Sequence, residues 1–183
     1  MTLKLPLTIE NHLGEKRIFH RLDMQGAEEK LIMENFLAPK GGLFMHTLFR
    51  QDESLTILRG SMGYQIMGEA PRYAAVGETV LFKKGQAHRY WNAGDTELNC
   101  YGWIRPACNT VFIRSAFYHA LNESGRDKPE QFDGAYLLYR YRNEFALPEL
   151  PGFVRTVVIP ATYGLGKLTG RYKKFKDAPA PLP

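Results

Sequence analysis

Between Gly41 and Pro106 turn signals cut the chain into short pieces, and this spacing limits the folds open to it. Gly60, Gly68-Glu69-Ala70-Pro71, Gly77-Glu78, Lys84-Gly85 and Ala93-Gly94-Asp95 separate runs rich in aromatic and aliphatic residues. Strands at such close, regular spacing, with glycine-rich turns, predict an all-β sandwich or barrel. Upstream, Leu3, Leu5, Leu7 and Ile9 alternate with other positions, and after Asn11-His12-Leu13-Gly14 a second alternating run extends from Arg17 to Leu22. A period of two places alternate side chains on one face of a strand, so these read as the first two strands. Met24 to Glu29 reads as a polar connection. Leu31 to Leu37 reads as a third strand ended by Pro39-Lys40-Gly41-Gly42, and Leu98 to Ile104 as the last, ended by Pro106.

After Asn109 the period changes. Asn109 suits the N-cap of a helix whose apolar face carries Phe112, Ile113, Ala116, Phe117 and Ala120, with Gly125 just past its end. Ala135 to Tyr141 predicts a second helix, stopped at Pro148. Val154 to Lys176 predicts a third, broken near Pro160 and weakened by Gly164, Gly166 and Gly170. The expected organisation is a β-barrel over residues 1–108 and a helical extension over residues 109–183, without linker or internal repeat.

A chain of 183 residues buries about 70% of its unfolded surface. Its 44% hydrophobic and 23% charged residues describe a folded protein rather than a disordered one. Two cysteines, Cys100 and Cys108, form no Cys-x-x-Cys pair, which argues against a zinc knuckle and for free thiols in a reducing compartment. Met1 to Pro6 contains no long apolar run, so the expectation is a cytoplasmic protein. Pro151 to Lys176 holds six bases and no acid, leaving the rest of the chain at −1 against the total of +5. The basic balance therefore belongs to the tail and does not argue for nucleic-acid binding by the barrel. Arg171-Tyr172-Lys173-Lys174-Phe175-Lys176 suits weak contact with an anionic membrane surface, against the plainer reading of a solvated or packed tail. Gly164-Leu165-Gly166-Lys167-Leu168-Thr169-Gly170 lacks the spacing of a phosphate-binding loop.

Two blocks carry the chemistry. In the first, Gly41, His46 and Glu53 lead to Gly60; in the second, Gly77, Gly85 and His88 lead to Asn92. Together they resemble the paired motifs of the cupin family. The six-residue gap between Glu53 and Gly60 fits, as do the positions of Gly77, Gly85, His88 and Asn92. Leu48 stands where the family's second motif histidine belongs, Lys83 stands where its proline belongs, and Gly41 is one residue closer to His46 than the pattern asks. The resemblance implies a jelly roll and dimerisation through strand edges or swapped strands.

Strand geometry places these side chains. If His46 points into the barrel, Leu48 lies roughly 6.6 Å further along the same face. Gln51-Asp52 can turn the chain so that Glu53 faces back, and His88, Tyr90 and Asn92 share one face. Two imidazoles and a carboxylate suit a divalent transition metal: Fe, Mn, Ni or Zn. The predicted metal ligands are thus His46, Glu53 and His88. Leu48, Tyr90, Phe44 and Tyr64 are the expected lining of a small-molecule pocket. The sequence assigns no catalytic residue. It leaves open a metal-dependent enzyme of oxygenase or isomerase type and a non-catalytic small-ligand-binding or sensing module, with or without metal. Asn92 reads as a loop-satisfying residue, and His12, His20 and His119 as structural or solvated.

Overall fold

The computed structural model describes residues 4–183; Leu3, expected in the first strand, lies outside them. The strands are β1 (Leu7–Glu10), β2 (Glu15–Gln25), β3 (Glu28–Leu37), β4 (His46–Leu48), β5 (Asp52–Arg59), β6 (Met62–Ile66), β7 (Arg72–Ala74), β8 (Thr79–Phe82), β9 (Ala87–Asn92) and β10 (Leu98–Arg105). They are followed by helices α1 (Thr110–Ser124) and α2 (Gln131–Arg140), strand β11 (Phe145–Ala146) and helix α3 (Ile159–Leu168).

The pairing of the central eight strands is that of one long hairpin bent at the β6–β7 turn. β3 pairs with β10, β4 with β9, β5 with β8 and β6 with β7, all antiparallel. Successive pairs fall alternately into two sheets, joined within each sheet by β10–β5 and β9–β6 contacts. That winding is the double-stranded β-helix, or jelly roll. β1 and β2 extend one sheet, and β11 extends the other beside β4, so the sheets have six and five strands and share none. Phe19, Leu31, Met33, Leu55, Ile57, Met62, Phe82 and Leu98 fill the space between them.

Several boundaries differ from expectation for identifiable reasons. The supposed connection at Met24–Glu29 is a tight hairpin in which Gln25 pairs with Glu28, and Gly26 takes the positive φ its turn requires. Asn109 stands at the start of α1 but does not cap it; its amide is drawn off to the Glu144 carboxylate and the Ala180 carbonyl. Gly125 does end that helix in the left-handed conformation. The segment after residue 108 is not wholly helical, because β11 adds to the sheet. Pro160 does not break the third helix. A π turn over Val154–Val158, closed by the Ile159 amide on the Val154 carbonyl, runs directly into α3. The wider turn accommodates a proline that cannot donate to the carbonyl four residues back. The break comes at Gly170, after which Arg171–Phe175 forms a 3-10 turn. Gly164 to Gly170 thus lies largely inside α3 rather than in a loop. Among the described residues no helix is long and apolar enough to cross a membrane.

Candidate metal centre

His46 on β4 and His88 on β9 are directly opposed in register. Glu53 reaches them from β5 in the facing sheet. The turn at Gln51 that joins β4 to β5 carries the chain from one sheet to the other, which lets a carboxylate seven residues after His46 face it. All three side chains are buried, Glu53 completely. One potential ligand atom from each lies within 4.8 Å of the others.

The ring orientations are fixed from behind. His46 Nδ1 lies 2.9 Å from the Phe44 carbonyl, and His88 Nδ1 lies 2.9 Å from the Gln86 carbonyl. A carbonyl only accepts, so each Nδ1 carries the proton and each Nε2 turns its lone pair inward. His88 also stacks on Phe82 at 3.9 Å and 6°. The Nε2 atoms then lie 3.3 Å (His88) and 3.9 Å (His46) from Glu53 Oε2, while Glu53 Oε1 is buried without a partner among the described residues. Lone pairs converging on a carboxylate repel unless a proton or a metal cation lies among them. The donor set therefore fits a divalent transition metal.

The electrostatics agree. Burial, reinforced by the nearby Arg114 charge, pushes the His46 pKa down to about 4 and keeps the ring neutral. Burial alone would raise Glu53, but the two histidines and the charge of Arg114 hold its carboxyl well below the usual range. Burial pushes the thiols of Cys100 and Cys108 up to about 12 and about 11, so neither is poised as a thiolate.

The expected pocket residues divide. Leu48 and Phe44 line a cavity of about 60 Å³ that reaches the centre past His46. Tyr90 lies in the core instead, where its hydroxyl accepts from Arg17 Nη2 at 3.0 Å. Tyr64 packs edge-on to Phe82. Neither tyrosine lines the cavity, because α1 and the β11 region, rather than the inner strands, form its other wall. Asn92 donates to the Leu37 and Thr96 carbonyls and accepts from Gly94, as its loop role requires. His12 touches Asn122, and His20 and His119 pair with Glu34 and Glu123, away from the centre.

Two arginines escaped sequence reasoning. Arg114 on α1 places Nη2 3.1 Å from His46 Nε2. Its signal was its place on the stripe of Thr110, Phe117, Tyr118 and Leu121, a base where helical spacing puts a buried face. Arg17 shares the inward face of β2 with Glu15 and Phe19; it is fully buried, and its Nε and Nη1 have no partner among the described residues.

No protein-family model matches the sequence, and no curated protein does. Among solved structures, the chain is similar to an uncharacterised conserved protein with a double-stranded β-helix domain from Klebsiella pneumoniae: 14% identity, 54% of this chain and 82% of that one, TM-score 0.45. It is also similar to KdgF from Halomonas sp.: 12% identity, 57% and 91% coverage, TM-score 0.48. A predicted oxalate decarboxylase from Thermotoga maritima gives 22% identity, 54% and 90% coverage, and a TM-score of 0.44. The strand winding itself defines the architecture: the chain has the cupin fold, a double-stranded β-helix with two histidines and one glutamate buried between its sheets.

Proposed function

We propose that His46, Glu53 and His88 hold a divalent transition metal and that the protein uses it to act on a small molecule admitted through the adjoining cavity. The observation that carries this reading is the pair of inward Nε2 atoms, each fixed by an Nδ1 bond to a backbone carbonyl, facing a buried carboxylate with an unpartnered oxygen. Iron, manganese, nickel or zinc suits this donor set, and such an ion, when bound, supplies a Lewis acid or a redox centre with open positions. The chain's own residues do the rest. His46 and His88 present their Nε2 atoms, Glu53 supplies the negative charge, and the Phe82 stack holds the His88 plane. Leu48 puts an apolar wall where a fourth protein ligand would otherwise stand, which keeps that side open to substrate and keeps water scarce.

Arg114 favours a second reading. A guanidinium on His46 Nε2 uses the lone pair a metal needs, as expected of a metal-free binding module in which Arg114 holds the cluster together. Elemental analysis of untagged, chelator-free protein separates the two. Near-stoichiometric iron, manganese, nickel or zinc that disappears in His88→Ala supports the metal centre. Metal retained in full by the variant, or absent from both proteins after reconstitution, removes it.

A further inference from the structure

The cavity beside the centre has an apolar body and a basic end. Leu13, Leu43, Phe44, Leu48, Phe117 and Phe145 are among the apolar residues of its wall. At its inner end lies Arg114, half-buried, whose one hydrogen bond among the described residues goes to the neutral His46 ring. Glu53 turns its carboxylate to the Nε2 atoms of the two histidines, and no salt bridge joins it to Arg114 among the described residues. The other two acids on the cavity wall are already engaged. Glu144 accepts from the Asn109 amide groups and from the Leu182 N–H, and Glu15 accepts from Asn11. A half-buried guanidinium is thus left without a salt-bridged carboxylate among the described residues. A partly desolvated cation in that position is stabilised when an anion joins it.

A second observation points the same way. Thr110 and Gln51, both more than nine-tenths buried, line the same cavity, and Thr110 Oγ1 and Gln51 Oε1 have no hydrogen-bond partner among the described residues. Buried polar groups without partners mark a place where a ligand or water belongs. The Thr110 hydroxyl sits one helical turn before Arg114, on the same stripe of α1, and can donate to the same bound group.

We propose that this cavity takes a small organic monocarboxylate, its carboxylate seated on Arg114 and Thr110 and its short apolar body against Phe44, Leu48 and Phe117. A volume of about 60 Å³ holds a few waters or a short branched acid. A carboxylate outcompetes a neutral imidazole as acceptor for the guanidinium, because both partners are charged. Occupation would draw Arg114 from His46 and leave Nε2 free. Arg114 is therefore the residue that sets ligand class. The inference rests on the reading of this cavity as a small-molecule site and not on the metal.

The test is calorimetric titration of chelator-treated protein with isobutyrate and, separately, with the neutral isobutyramide, repeated after manganese loading. Saturable binding of the acid alone is expected, weakened about ten- to a hundredfold in Arg114→Gln and partly retained in Arg114→Lys. The comparison of acid with amide on the unaltered protein stands even if Arg114→Gln fails to fold. Equal binding of acid and amide overturns the anion assignment while leaving a cavity for neutral ligands. Binding of neither, with or without manganese, overturns the proposal; the metal content of the same samples reports independently on the centre.

Discussion

At the scale of single residues, one nitrogen decides the state of the site. His46 Nε2 faces both the Glu53 carboxylate and the Arg114 guanidinium, and a cation and a guanidinium cannot both use its lone pair. Replacing Arg114 by Gln removes the competitor and a positive charge, so divalent metal should bind more tightly, by about tenfold or more from the charge alone. Competition with a chromophoric chelator measures this; unchanged or weaker affinity would show that Arg114 does not oppose the ion. Acid acts on the same ring. The pKa of His46 is near 6.5 in the unfolded chain and about 4 in the folded one. Between these values the unfolded state holds the extra proton, so metal-free protein should lose stability as pH falls from 6.5 to 4, on the order of 3 kcal/mol. Glu53, also depressed, extends the loss below its ordinary value of 4.5. Urea midpoints at pH 7.5, 5.5 and 4.5 check the sign; a flat profile would mean that His46 is not held neutral by burial.

Among the elements, α1 carries the part of the site that strand reasoning could not reach. The residue just before it, Asn109, is tied down by Glu144, which is fully buried, accepts from Asn109 and Leu182, and through its own carbonyl accepts from the Phe49 amide in the loop after β4. Glu144→Ala should cost about 2–4 kcal/mol, because it removes a fully buried side chain and takes the acceptor from several part-buried donors. It should also speed hydrogen exchange at residues 109–113, with no matching change in β3 or β10. The cluster of His46, Glu53 and His88 was legible in sequence because the three sit on strands whose period of two fixes their direction. Arg114, Thr110 and Gln51 were not, since their place depends on how a helix 60 residues downstream packs against the β4–β5 turn. The tail shows the same limit. A sequence of bases and aromatics reads as solvated or packed without choosing between them; Phe175 stacks on Tyr136 at 4.1 Å and Lys174 pairs with Asp133 at 2.6 Å, so the segment is packed on α2.

For the whole molecule, the turn-punctuated middle of the chain specified the sheets, and the alternating runs specified which faces meet. What sequence could not supply was the long-range order in which the hairpin winds, because pairings such as β3 with β10 join segments more than 60 residues apart. The winding leaves β7 and β8 as sheet edges, with Tyr73, Val76 and Leu81 exposed on or beside them. Unpaired edges with apolar side chains favour a second copy as cover. Sedimentation velocity at micromolar concentration should therefore give a dimer mass; a monomer would show that these edges stay open. The claim on which the functional account turns is that the two inward ring nitrogens and Glu53 enclose an ion. Anomalous diffraction at the manganese edge, from crystals grown with that metal, tests it most directly. The account predicts one strong peak within bonding distance of His46 Nε2, His88 Nε2 and the Glu53 carboxylate, with Arg114 moved off His46. Ordered side chains with no peak between them, and Arg114 still bonded to His46, would contradict it.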